Sequence, residues 1–128
     1  MTVQPLQDVN QDLPAPQGHA IGFADSQADC DAITGGLNLA GFPDDKITVL
    51  NGEDGIHLLQ RMMSSSLWGE AVETLMKDGT LELNKGHFAL IIDTEDRNAA
   101  VRAATIAARH GGRNFNHFGL LVDERLTR

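Results

Sequence analysis

Residues 87–93, His-Phe-Ala-Leu-Ile-Ile-Asp, form the most apolar run in the chain. Successive side chains of a strand point to opposite faces, so a run apolar at both parities reads as a central strand buried on two sides. The next segment is legible as a helix. Thr94, Glu95 and Asp96 offer cap chemistry, an alanine-rich stretch comes after them, and Arg109, His110 and Gly111 close it. Cations suit the negative pole of a helix dipole, and glycine suits the position just past its end. "RNFNHFGLLV" then supplies a last strand.

The first part of the chain has the same grammar. "HAIGFA" (19–24) is a short apolar strand, and Asp25 or Ser26 is placed to cap a helix. At about 100° per residue, Ala28, Ala32, Ile33, Gly36, Leu37, Leu39 and Ala40 fall on one broad arc. Gly41, Phe42 and Pro43 end that helix, and "ITVL" (47–50) is the second strand. Gly36 and Gly41 have the spacing of a phosphate-binding loop. Such a loop needs a strand directly before it and Lys-Ser/Thr after its last glycine. Here Phe42 and Pro43 stand in those places, so the glycines read as helix and stop. Gly36, near the centre of the arc, is expected to let the helix approach Ile21 and Phe23 closely.

Between strands two and three the pattern is helical. Glu53 and Asp54 suit a first turn, with Ile56, Leu59 and Met63 at helical spacing. After Ser64–Ser66, a stripe of Leu67, Ala71 and Leu75 with Trp68, Val72 and Met76 predicts another helix, closed by Asp78-Gly79. "TLELNKG" (80–86) reads either as a last helical turn or as a hairpin strand, and the helical turn is preferred. The order predicts an α+β fold: a ferredoxin-like βαβ-βαβ sandwich with a helical insertion between strands two and three. An open flavodoxin-like sheet is the alternative. Residues 1–18, with three prolines, read as a flexible leader, and 19–128 as a single domain.

The net charge of −8 is unevenly placed: residues 1–60 hold nine acids and a single base, Lys46, while residues 61–128 hold nine of each. An acidic body disfavours nucleic acid and anionic membranes, and solubility is its simpler meaning. The chain has no apolar run of transmembrane length and no signal-peptide pattern. With one cysteine, Cys30, it has no internal disulfide framework, and a cytoplasmic setting is expected.

Two stretches carry a resemblance. "IGFADSQADCDAITGGLNLAGFPDDKITVL" resembles the start of bacterial general stress proteins of the heat-induced, YflT-like type: strand, acidic cap, alanine-rich helix, Gly-Phe stop, acids, second strand. "GHFALIIDTEDRNAAVRAATIAARHGGRNFNHFG" is similar to the second half of related bacterial proteins of unknown function. Together they cover roughly residues 20–119. The resemblance implies a cytoplasmic, stress-associated domain and carries no catalytic residues with it.

The residues themselves point away from catalysis. No pair of the five histidines has helical metal-site spacing, and there is no Cys-x-x-Cys. Cys30 is flanked by Asp29 and Asp31, which oppose a thiolate. Arg102 and Arg109 share a helical face that reads as solvated, with anion binding as its alternative. Catalytic, cofactor and metal residues are therefore expected to be none. The expected function is non-enzymatic association, as a homodimer or with a protein partner; a small-ligand sensor with a cleft between subunits is the alternative. Ile21 and Phe23, with Leu90 and Ile92, are expected to face the first and last helices. The smaller set, Ala20, Gly22, Ala89 and Ile91, would form the other face, covered by the inserted helices carrying Trp68, by a second subunit, or by both.

Overall fold

In the computed structural model, residues 18–64, 70–94, 96–118 and 123–125 are described. The leader expected over 1–18 lies, apart from Gly18, outside them, as does Trp68. The elements run β1 (His19–Ala24), α1 (Gln27–Leu39), a short 3-10 turn (Asp44–Lys46), β2 (Ile47–Asn51), α2 (Gly52–Ser64), α3 (Glu70–Asn84), β3 (Phe88–Asp93), α4 (Arg97–Arg109), β4 (Arg113–Phe118) and β5 (Asp123–Arg125). The fold is α+β. All strand pairs are antiparallel, in the order β2-β3-β1-β4-β5. The apolar run "HFALIID" takes its expected inner place as β3. β5, which pairs with β4, is a strand that the sequence pattern does not separate from the last one.

Capping follows the sequence closely. Ser26 accepts the Asp29 N–H at 3.1 Å, and Asp96 accepts that of Ala99 at 2.8 Å. At the end of α1 the Phe42 N–H reaches back to the Leu37 carbonyl at 2.9 Å, so the Gly-Phe stop works as read. Gly35 and Gly36 both lie inside this helix, which removes the phosphate-loop geometry.

The sheet is covered on both faces by helices of the same chain. On one face α1 and α4 bury Cys30, Ile33, Leu37 and the four inner alanines of α4 against Ala20, Ala24, Val49, Leu90, Ile92 and Phe115. On the other, α2 and α3 bury Leu58, Leu59, Met62, Leu75 and Leu83 against Ile21, Phe23, Leu50, Ala89 and Ile91. β1 therefore faces the opposite way from expectation: Ile21 and Phe23 point to α2 and α3. Register explains this. Ala20 stands opposite Ile92 and Gly22 opposite Leu90, so each small residue of β1 shares a face with a large one of β3. The ring of Phe115 lies directly over Gly22. Volume is matched across neighbouring strands, not along one strand.

Two glycines need this packing. A Cβ on Gly36 would lie 2.8 Å from Ile106 and 3.0 Å from His110, so the close approach is to α4 and not to Ile21 and Phe23. Gly79 does not end a helix as its sequence context suggests, because α3 runs through it to Asn84. Its missing side chain admits Leu59, whose Cδ2 would be 2.3 Å from a Cβ there. The helical alternative for 80–86 holds through Asn84.

Candidate functional site

At one end of the sheet, four charged or ionisable side chains from four elements meet. Asp25 follows β1, Glu82 lies in the last turn of α3, His87 precedes β3, and Arg113 opens β4. Their placement is local in origin and long-range in outcome. α3 ends at Asn84 and the chain turns at Gly86, whose φ of +84° only glycine adopts without strain. The His87 N–H then returns to the Glu82 carbonyl at 3.0 Å, and its ring Nδ1 comes within 2.8 Å of Glu82 Oε1. On β4 a bulge intervenes: Ile21 pairs with Asn116 but Phe23 with Arg113, leaving one extra residue on β4. Asn114 takes φ 57° there, the left-handed region that asparagine tolerates better than most residues.

Arg113, at the edge of the bulge, grips the Glu82 carboxylate through two nitrogens, at 2.7 and 3.2 Å, and also donates to Asp25. His87 Nδ1 lies 3.6 Å from Asp25 and 3.5 Å from Arg113. The two hydrogen bonds from Arg113, aided by one from His87 and by both positive charges, outweigh burial and hold the Glu82 carboxyl down at about 2. The same bonds raise Arg113 above its ordinary value. Arg113 Nε is buried without a partner among the described residues.

Asp25, Glu82 and His87 present ligand atoms within 4.8 Å of one another, the donor set of a small divalent-cation site. Arg113, however, donates to both carboxylates and already supplies the charge a metal would bring. Glu82 also orients His87 as carboxylates orient catalytic histidines. Cys30 cannot serve as its nucleophile: it is buried in the other core layer, and burial, reinforced by Asp31 and Asp29, pushes its thiol up to about 12. The cluster is suited to clamping α3 onto β1 and β4.

Of the residues singled out from sequence, Ala20 and Gly22 are buried beneath α1 and α4, and Ala89 and Ile91 beneath α2 and α3. They are divided between two faces and do not form one surface. His19 and His87 lie at opposite ends of the sheet. Arg102 stands over the Phe42 ring at 5.3 Å, beside a cleft of about 340 Å³ lined also by Lys46, Asp93, Asp96 and Asn98. The four-residue cluster has no counterpart in the sequence pattern. Its members are 5 to 88 positions apart, and only the turn signal Gly86-His87 is visible locally. No protein-family model, curated protein or solved structure matches the chain.

Proposed function

We propose that this chain is a non-catalytic domain that acts by association, with itself or with a protein partner. The observation that carries this reading is the outer edge of β2, which pairs with no strand among the described residues although both faces of β1, β2 and β3 are covered within the chain. An unpaired edge offers backbone donors and acceptors to another chain, and Thr48 and Asn51 are the partly exposed residues of β2 that one could reach. A non-catalytic role is supported by the two-pronged pairing of Arg113 with Glu82 and by the unreactive thiol of Cys30. We read the organisation as ferredoxin-like: β2-β3-β1-β4 with two βαβ halves supports it, β5 adds a strand, and α2 and α3 form the insertion. The likeness to YflT-like general stress proteins and a cytoplasmic setting belong to the same proposal. Among the described residues, no helix is long and apolar enough to cross a membrane.

Hydrogen exchange at rising protein concentration, with light scattering, tests the reading. Slowed exchange confined to a surface segment, together with a mass above the monomer or a bound partner peptide, supports it. A monomer with concentration-independent exchange and no peptide bound refutes it. A second reading, a small-ligand sensor, is favoured by the cleft at Arg102, whose mixed charges suit a small polar molecule. A ligand at a hundredfold its dissociation constant adds about 2.7 kcal/mol, visible in thermal melts.

A further inference from the structure

The two ends of the sheet treat opposite charges differently. At the Arg113 end, acids and bases pair with one another. At the other end Asp93 closes β3 opposite His19, and the cleft of about 340 Å³ opens beside it. The charged groups of its lining are Lys46 from the 3-10 turn, Asp93, the α4 cap Asp96, and Arg102. Two bases and two acids leave the cleft with no net formal charge. Yet Arg102 makes no hydrogen bond or ion pair among the described residues, and neither does the Asp93 side chain. These opposite charges share one cavity without closing on each other.

Each group is held by its place in the fold. Arg102 stands over the ring of Phe42, a buried residue just past the end of α1, and this contact sets where the cation sits. Asn98 precedes Arg102 by four positions on α4, so amide and guanidinium are neighbours on one helix face. Together they present several N–H donors to a carboxylate. Asp96 accepts the Ala99 N–H through one oxygen at 2.8 Å, and its other oxygen has no partner among the described residues. That oxygen and the Asp93 carboxylate are acceptors suited to an ammonium group. Asp93, Asp96, Asn98 and Arg102 are all exposed, so a dissolved molecule reaches them without any rearrangement of the fold.

Charge excludes the simpler ligands. A plain anion meets Asp93 and Asp96, and a plain cation meets Lys46 and Arg102. An apolar molecule displaces water from charged groups and gives nothing back. A molecule with both poles satisfies both sides. The volume lies near the lower end of the roughly 300–1,000 Å³ of small-molecule sites, which suits a compact ligand.

We propose that this cleft binds a small zwitterion of the amino-acid class, with its carboxylate held by Arg102 and Asn98 and its ammonium group by Asp93 and Asp96. This rests on the ligand-sensor reading and names the class of ligand for it.

The test uses the full chain, with its amide resonances followed by NMR during titration. Three probes carry both charges at growing separation: glycine, β-alanine and γ-aminobutyrate. Two carry a single charge: butyrate and butylamine. At least one zwitterion is expected to shift the resonances of residues 93–102. It should bind on the order of tenfold or more tightly than either single-charge probe. Arg102→Gln should abolish that preference. Asp93→Asn with Asp96→Asn keeps the α4 cap, because asparagine caps as well as aspartate, and should turn the preference towards butyrate. Shifts confined to other surfaces, equal binding of zwitterions and single-charge probes, or an unchanged preference in either variant overturns the proposal. If the cleft takes butyrate, butylamine, a sugar or a phosphate ester but no zwitterion, this inference falls and the sensor reading stands. If it takes none of them, both fall.

Discussion

Arg113 and Glu82, 31 residues apart in sequence, form a two-pronged ion pair at 2.7 and 3.2 Å that joins the start of β4 to the end of α3. Helix α3 lies between β2 and β3 in the chain, and this pair, with Asp25 and His87, ties it to the central strand β1. Two-pronged pairs of this kind are stronger than single hydrogen bonds and fix geometry as well. The partial exposure of Arg113 keeps the energetic return moderate.

Stability should depend on this pair at acid pH. Glu82 has a folded value near 2, below the roughly 4.3 of an unfolded glutamate, so its contribution is complete above the unfolded value. It is lost as pH falls from about 4.5 towards about 2. Urea denaturation across that window should show wild type losing about 1–2 kcal/mol more than Glu82→Gln, the full shift being reduced for solvent screening. Parallel curves for the two proteins would remove the pair from the stability of the fold.

Neighbouring glycines in α1 should respond in opposite directions. A Cβ at Gly35 meets nothing within 4 Å, whereas one at Gly36 runs into Ile106 and His110. Gly35→Ala should gain up to about 0.5–1 kcal/mol from helix propensity. Gly36→Leu should lose about 1–3 kcal/mol by forcing α1 from α4. Chemical denaturation of both variants checks this, and equal effects would refute the close-approach account.

The bulge should tolerate glycine and reject a β-branched residue. Asn114 sits at φ 57°, where valine is strained by about 1–2 kcal/mol and glycine is not. Asn114→Val should lower the melting temperature, and Asn114→Gly should leave it within a degree or two of wild type, by roughly the same scale. A stable valine variant would mean that the bulge does not set the aim of Arg113.

The Cys30 thiol should be inert in the native protein. Buried on the inner face of α1 and pushed up to about 12, it should react with a thiol reagent at mildly alkaline pH only as fast as the protein opens. Reaction monitored with and without urea measures this. Rapid labelling of the folded chain would show that the α1 layer is looser than its packing implies.

Local chemistry was legible in the sequence because caps and stops are made by residues close in the chain. Ser26, Asp96, Gly41, Gly86 and Gly111 act within a few positions of themselves, so the strand-helix-strand order could be read from them, and "HFALIID" could be placed inside the sheet. Which face of β1 meets which helices could not be read, because Ala20, Gly22 and Ile21 acquire their neighbours only when β3 and β4 fix the register. Gly79 looked like an end for the same reason: its partner, Leu59, sits on another helix. The charge cluster depended most on tertiary structure. Asp25, Glu82, His87 and Arg113 each have an ordinary local reading, and only a bulge in β4 together with the docking of α3 brings two carboxylates, an imidazole and a guanidinium within bonding distance. Short-range hydrogen bonding is encoded by spacing, whereas volume matching and charge pairing are properties of surfaces that exist only after the chain has closed on itself.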